Sequence, residues 1–171
     1  MKQPLEIERK FLIRMPDIAF LSAQPGARIK HITQTYLLSP AGVTARVRRV
    51  KEDGVVRYIR TEKSRLSDRT AIEREQELDE EGYRAALRVA DPERLPIKKT
   101  RYAVPYEGHV MEVDIYTFWD DRATLEVELT SEDEAFLLPS YLSVVTEVTS
   151  DRRYKNAQLA RVVPNDPLPE E

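Results

Sequence analysis

The chain has 171 residues, of which 41% are hydrophobic and 33% are charged, and its formal net charge is -3 at pH 7. This length predicts one domain with a substantial core, and the nearly balanced charge gives no sign of nucleic-acid binding. The sequence has no cysteine, which excludes disulfides, thiolate zinc sites and a cysteine nucleophile. It has only two histidines, so a histidine metal triad is not expected. With no apolar leader or membrane-length segment in view, we expect a cytoplasmic protein without nucleic-acid or membrane partners.

Runs of residues with the two-residue alternation of β-strands dominate the chain. We predict strands over 4–13, 32–38, 43–50, 55–63, 71–78, 98–106, 109–117, 123–130 and 145–149. Asp53-Gly54 and Glu107-Gly108 predict tight hairpin turns within this series. Short helices are predicted over 16–21, 80–89, 131–138 and 153–161. We therefore expect a single domain over 1–163, followed by a proline-rich tail over 164–171 that is predicted to be disordered.

Charged side chains occupy one face of most of the predicted strands. Successive side chains of a strand point to opposite faces, so Glu6, Glu8 and Lys10 share one face of the first strand. Later strands pair like charges in the same way: Arg46 with Arg48, Glu73 with Glu75, Lys99 with Arg101, Glu112 with Asp114, and Glu126 with Glu128. A half-solvated sheet with salt bridges accounts for any one strand, but it accounts poorly for the whole set because like neighbours repel.

Closure of these strands into a barrel would bring the charged faces together in one lumen. A packed core cannot hold so many ionised groups, because unpaired buried charges are very costly. Such a lumen is instead a wet cavity in which lysines and arginines bind the phosphates of a polyanion. Its carboxylates would bind a hard divalent cation, Mg²⁺ or Mn²⁺, which prefers oxygen ligands.

The motifs, taken in order, resemble those of the CYTH superfamily, the triphosphate tunnel metalloenzymes. Glu6-x-Glu8-x-Lys10 is similar to the ExExK signature of that family. The further matches over residues 4–160 are Gln34-Thr-Tyr36-Leu37, Arg46-x-Arg48, Thr61-x-Lys63, Glu73-x-Glu75, Lys99-x-Arg101, Glu112-x-Asp114, Glu126-x-Glu128 and Glu147 to Asn156. The resemblance implies an α+β, mainly β fold: an eight-stranded antiparallel β-barrel with short flanking helices that binds triphosphate and divalent metal.

The resemblance also implies roles for individual residues. The implied metal ligands are Glu6, Glu8, Asp114, Glu126 and Glu128. The implied phosphate ligands are Lys10, Arg46, Arg48, Lys63, Lys99, Arg101 and Arg153. The residues implied in catalysis are Lys10 and Tyr36, as a pair near the scissile phosphate, together with Glu6 and Glu8. Supporting carboxylates of the tunnel are Glu73, Glu75 and Glu112.

The choice among the activities of the family depends on the substrate. The chain has little beyond the tunnel itself, which favours a small substrate, so we expect a monomer or homodimer that hydrolyses inorganic triphosphate to pyrophosphate and phosphate. The alternatives are a class IV adenylate cyclase, a thiamine or nucleoside triphosphatase, and a module that binds polyphosphate without turnover. Trp119 would stack on an organic ring if it lay at the tunnel mouth, although a turn aromatic more often packs on the outer shell.

Overall fold

Antiparallel strands make up most of residues 4–171, the part of the chain that the computed structural model describes. The strands are β1 (Leu5–Arg14), β2 (Arg28–Leu37), β3 (Thr44–Glu52), β4 (Val55–Arg65), β5 (Thr70–Leu78), β6 (Ile97–Tyr106), β7 (His109–Tyr116), β8 (Arg122–Leu129) and β9 (Val144–Glu147). The helices are α1 (Ile18–Ser22), α2 (Glu80–Leu87), a 3-10 helix (Arg152–Tyr154) and α3 (Asn156–Leu159). None of the helices described in this range is long and apolar enough to cross a bilayer.

The first eight strands close into a barrel. Their order around the wall is β5-β4-β3-β2-β6-β7-β8-β1, and β1 returns to β5 through the pairs Leu5–Ile72 and Ile7–Thr70. Beyond this short seam, the same edge of β1 pairs with β9 at residues 11–13. The predicted eight-stranded antiparallel barrel is confirmed, with β9 as an added strand that covers the remaining edge of β1.

Both predicted hairpin turns are present. Asp53 and Glu107 have positive φ angles of 50° and 47°, and the glycines that follow them have φ angles of 78° and 81°. Two consecutive positive φ angles match the twist of the flanking strands, which is why an Asp-Gly or similar pair is favoured there. All nine predicted strands are observed, although β2 begins at Arg28 rather than at residue 32 because it continues its pairing with β6 as far as Ala103.

The predicted helix over 131–138 is wrong. This segment has no regular helix, and it lies across the barrel with Phe136 packed edge-on against Phe11 at 6.0 Å between ring centroids. Glu134 accepts hydrogen bonds from Thr130 and lies 2.7 Å from the His109 ring nitrogen, so its side chain ties the segment to the barrel. Apolar packing and side-chain hydrogen bonds have therefore replaced the helical bonds that the acidic start suggested.

The predicted helices at the other positions are shorter than expected. The predicted helix over 80–89 is observed as α2, which ends at Leu87. Asp79 caps α2 by accepting a hydrogen bond from the Gly82 N–H at 2.7 Å. The predicted 153–161 helix is divided in two, because Lys155 has extended backbone angles of φ -67° and ψ 136° between the 3-10 helix and α3. At this extended residue the Lys155 side chain is directed into the barrel.

The hydrophobic core lies mainly outside the barrel wall. Outward-facing residues such as Ile13, Val113 and Leu125 are fully buried, since α1 and the segment after β8 cover them. An apolar cluster fills one end of the lumen, where Tyr154, Leu159 and Ala160 pack with Tyr36 and Tyr116. Packing the apolar face outward leaves the remaining inner face available for charged residues.

The C-terminal segment 164–171, for which the sequence predicts disorder, contacts the body of the protein at several points. The indole N–H of Trp119 donates to the Pro164 carbonyl at 3.0 Å, and Asp166 forms an ion pair with Arg153. Leu168 packs against the aromatic cluster around Tyr116 and Trp119.

Candidate active site

The charged faces of the strands line two adjoining cavities inside the barrel. Their volumes are about 800 Å³ and about 510 Å³, and both are lined by Glu8, Arg46, Lys63 and Asn156. Because they share these residues, we treat them as two halves of one passage and call them the larger and the smaller cavity. The alternation of the strands thus places most of the predicted charged residues around one common space.

Two lysines anchor the carboxylates of β1 and β8. Lys63 Nζ forms ion pairs with Glu6 and, at 3.3 Å, with Glu73. Lys10 Nζ lies 3.3 Å from Glu126 Oε1 and donates a hydrogen bond to the Tyr154 carbonyl at 2.7 Å. The second contact joins the 3-10 helix (Arg152–Tyr154) directly to Lys10 on β1.

Arg101 occupies the centre of an ionic cluster on the neighbouring wall. It donates to both oxygens of Asp114, at 2.7 and 2.9 Å, and pairs with Glu112. Lys99 Nζ lies 2.8 Å from the same Asp114 carboxylate. Neither Lys99 nor Asp114 lines a cavity, whereas Arg101 lines the smaller one. The structure therefore brings Arg101 to the passage and keeps the predicted residues Lys99 and Asp114 behind it.

Arg46 and Arg48 project from β3 into the passage, and each has an N–H group without a hydrogen-bond acceptor among the described residues. Arg48 pairs with Glu75 at 2.8 Å, and burial together with the nearby Arg46 charge lowers the pKa of Arg48 to about 10. The Nε atoms of both arginines are buried and have no hydrogen-bond partner among the described residues. A buried donor without a partner is costly, so an anion bound here would stabilise both side chains.

The opposite wall carries an excess of carboxylates. In the register between strands, Glu8 stands directly opposite Glu128, and Glu112 stands opposite Glu126. Burial raises the pKa of Glu8 to about 8, with the charges of Glu126 and Glu6 adding to the effect. Burial and the Glu112 charge raise the pKa of Glu128 to about 7. Like charges directly opposite one another destabilise a sheet, so this wall favours a bound cation.

The carboxylate wall fits a hard divalent metal by its chemistry. Its donors are all oxygens, and the raised pKa values of Glu8 and Glu128 show that their charge is poorly compensated. Glu6 and Glu126 already have lysine partners, Lys63 and Lys10 respectively. Within residues 4–171, no three Asp, Glu or His side chains stand together as a formed metal site. Binding of a metal would therefore require these carboxylates to converge.

Comparison with known proteins identifies the family. The chain is 32% identical over 164 residues to an inorganic triphosphatase from Nitrosomonas europaea, and the match covers 93% of this chain and 99% of that protein. The chain belongs to the CYTH superfamily of triphosphate tunnel metalloenzymes. A solved structure described as an inorganic triphosphatase is 31% identical, with a TM-score of 0.58, and covers 94% of this chain and 97% of its own.

A more distant solved structure shares the fold alone. This putative adenylate cyclase from Bacillus halodurans is 16% identical, with a TM-score of 0.50, over 76% of this chain and 84% of its own. No family-wide sequence profile matches the chain.

The CYTH pattern assigned Arg153 to the phosphate, and the structure places this side chain away from both cavities. Its guanidinium is exposed and forms ion pairs with Asp151 at 2.8 Å and Asp166 at 2.9 Å. The adjacent residues Arg152 and Lys155 line the larger cavity instead. Sequence reasoning missed them because they follow no strand alternation, and only their place in the same motif pointed to this segment.

The proposed CYTH pair of Lys10 and Tyr36 does share one cavity. Both residues line the larger cavity, and the guanidinium of Arg94 lies over the Tyr36 ring at 5.5 Å from its centroid. Trp119, in contrast, is buried beneath the C-terminal segment between Tyr116 and Tyr154. Its ring is therefore covered by the protein itself.

Proposed function

We propose that the protein hydrolyses inorganic triphosphate to pyrophosphate and phosphate within the barrel, with Mg²⁺ or Mn²⁺ as the metal. The observation that carries this proposal is that one passage contains both arginine donors without acceptors and carboxylates without sufficient positive charge nearby. Arg46 and Arg48 have unsatisfied donors, while Glu8 and Glu128 carry poorly compensated charge. A triphosphate with its metal ions would supply both missing partners. The relative from Nitrosomonas europaea is named for this same activity, which supports the proposal.

The cations of the passage would bind and orient the phosphate chain. Arg46, Arg48 and Arg101 present planar guanidinium groups, which match phosphate oxygens in pairs. Held in this way, the terminal phosphoryl group is oriented for in-line attack by water, and its developing charge meets fixed positive groups. The ion pairs of Arg101 with Glu112 and Asp114 limit its rotation, so little reorganisation is needed when the substrate binds.

Glu8 and Glu128 are the carboxylates proposed to hold the metal, with Glu6 and Glu126 as neighbours on the same two strands. A divalent ion bound there would polarise phosphate oxygens and lower the pKa of a bound water. Lys10 and Tyr36 line the larger cavity, where they would stabilise charge on the phosphate that leaves. Glu73, Glu75 and Glu112 would serve as supports, since each pairs with a cation of the passage.

An inorganic substrate is favoured over one that carries an organic ring. Tyr36 is the only aromatic residue among the described residues that line the two cavities. Its ring already contacts Arg94, and Trp119 is buried elsewhere. Recognition of adenine or thiamine would need an open aromatic or apolar surface to stack against. The proposal takes the protein to act in the cytoplasm as a monomer or homodimer, as the sequence predicts.

A substrate panel tests the proposal directly. Phosphate release should be measured for tripolyphosphate, ATP and thiamine triphosphate with Mg²⁺, with Mn²⁺ and with EDTA. We expect tripolyphosphate to have the highest kcat/KM, and EDTA to abolish its turnover. Preferential conversion of ATP to cyclic AMP would instead identify a cyclase. Tight tripolyphosphate binding without any phosphate release would identify a binding module.

A further inference from the structure

The two halves of the passage differ in charge. Eight lysines and arginines but only three acidic residues line the larger cavity. Seven lysines and arginines and nine acidic residues line the smaller cavity. The outer part of the smaller cavity includes Glu52 and Asp53, so its mouth is not simply basic. The barrel is therefore positive at one end and close to neutral or negative at the other.

Two parts of the chain build the positive end. Arg65 lies at the end of β4, and Arg152 and Lys155 lie on the segment between β9 and α3. Lys155 Nζ donates to the Asp68 carbonyl at 3.1 Å, so it joins the start of α3 to the loop after β4. Arg94 and Arg161 line the same cavity, although both pair with Asp91. Arg65, Arg152 and Lys155, in contrast, form no ion pair with any described residue of the chain.

The titration of Lys155 reflects the excess of positive charge at the larger cavity. Burial and the Arg65 charge lower the pKa of Lys155 to about 8, as expected for an ammonium among other cations.

We propose that the triphosphate enters, and the phosphate products leave, through the larger cavity, guided by Arg65, Arg152 and Lys155. The argument rests on the proposed function for the identity of the polyanion. A cleft lined by one sign of charge concentrates ligands of the opposite sign and raises their association rate. At the smaller cavity the exposed arginines are already paired, Arg28 with Glu52 at 2.7 Å and Arg57 with Glu77 at 3.0 Å. Arg65 and Arg152, at the larger cavity, form no ion pair with any described residue, so their charge is available to an incoming polyanion.

Matched pairs of substitutions at the two ends test this direction. R65Q/R152Q removes two exposed charges at the larger cavity, and R28Q/R57Q removes two exposed charges at the smaller cavity. We expect R65Q/R152Q to lower kcat/KM for tripolyphosphate about tenfold at low ionic strength while kcat stays unchanged. Its deficit should shrink as salt is added, because exposed charges are screened over about 8 Å at 0.15 M. R28Q/R57Q should keep the wild-type kcat/KM.

A charge-conserving variant separates guidance from local structure. R65K/R152K should retain kcat/KM, because guidance depends on charge, whereas the carbonyl contacts of Arg65 with Ser67 and Asp68 need its guanidinium. Loss of kcat/KM in R65K/R152K as well, or a larger loss in R28Q/R57Q than in R65Q/R152Q, overturns the inference. If the wild-type protein does not hydrolyse tripolyphosphate, the proposed function fails. The direction is then tested by stopped-flow association of tripolyphosphate in EDTA with the same variants, where the same order of rates is expected.

Discussion

Lys99 and Asp114 form an ion pair of 2.8 Å whose two side chains are almost completely buried inside the barrel, away from both cavities. Arg101 shares the same carboxylate and continues into the smaller cavity. Burial lowers the pKa of Lys99 to about 8, although the Asp114 charge opposes the shift. Both residues were predicted to bind ligands directly, and their geometry suits them instead to hold Arg101 in position.

We predict that Asp114→Asn strongly destabilises the protein. The substitution leaves Lys99 and Arg101 without their shared counter-charge in a buried site, which typically costs about 3–5 kcal/mol. The free energy of unfolding should be measured by urea denaturation at pH 7. Asp166→Asn is the matched control, because Asp166 belongs to an exposed pair with Arg153, and it should leave the unfolding midpoint nearly unchanged. Equal midpoints for the two variants would contradict the structural role of Asp114.

Glu128→Gln should separate activity from stability. Removing one carboxylate relieves the repulsion with Glu8 and Glu112, so the metal-free protein should be as stable as wild type at pH 8, or slightly more stable. Metal-dependent hydrolysis of tripolyphosphate should fall at least about a hundredfold, because a proposed metal ligand is lost. The midpoint of thermal unfolding should be compared in EDTA and in Mg²⁺. Near wild-type hydrolysis, with the same stabilisation by Mg²⁺, would count against the metal assignment.

Arg153→Gln should have little effect on catalysis. The Arg153 guanidinium lies outside both cavities and is engaged by Asp151 and Asp166. We therefore expect KM and kcat for tripolyphosphate within about twofold of wild type, since a surface residue remote from the site contributes little. Steady-state kinetics at low ionic strength decides the matter. A KM raised by about tenfold or more would restore the phosphate-binding role that the motif suggested.

Lys155→Arg should change the pH dependence of kcat/KM. A lysine whose pKa is lowered to about 8 is charged below that pH and loses its charge above it. If this charge attracts the substrate, wild-type kcat/KM falls as the pH rises through about 8, because kcat/KM reports groups of the free enzyme. The arginine variant keeps its charge, so this fall should be absent or displaced to higher pH. Identical profiles for the two proteins would assign the fall to another group.

Much of the fold follows from local signals. The period of two residues in segments such as Glu6 to Lys10 identifies a strand and also sorts its side chains by face. The hairpins at Asp53 and Glu107 require left-handed backbone, which the glycine after each residue accommodates readily. The segment 131–138 was mispredicted because its contacts with Phe11 and His109 come from distant strands, which outweigh a local helical start.

The candidate site also contains some residues that local sequence signals predict and others that they do not. Strand alternation alone placed Arg46, Arg48 and Glu8 on the inner face, since the side-chain direction of a strand residue is a local property. Arg152 and Lys155 were not predicted because they lie in a short 3-10 helix and at the extended residue after it, where the two-residue period of a strand does not apply. The extended angles of Lys155 turn it toward the larger cavity, and Arg153 is turned toward solvent.

The sequence by itself therefore determined the strands, the turns and the two faces of the wall, and with them a charged lumen suited to triphosphate and metal. These properties depend on neighbours within a few residues along the chain. Only the tertiary structure decided which charges pair, which ones stay poorly compensated and which end of the barrel is positive. Those properties depend on register between strands and on burial, as the pairing of Glu8 with Glu128 and the enclosure of Asp114 illustrate.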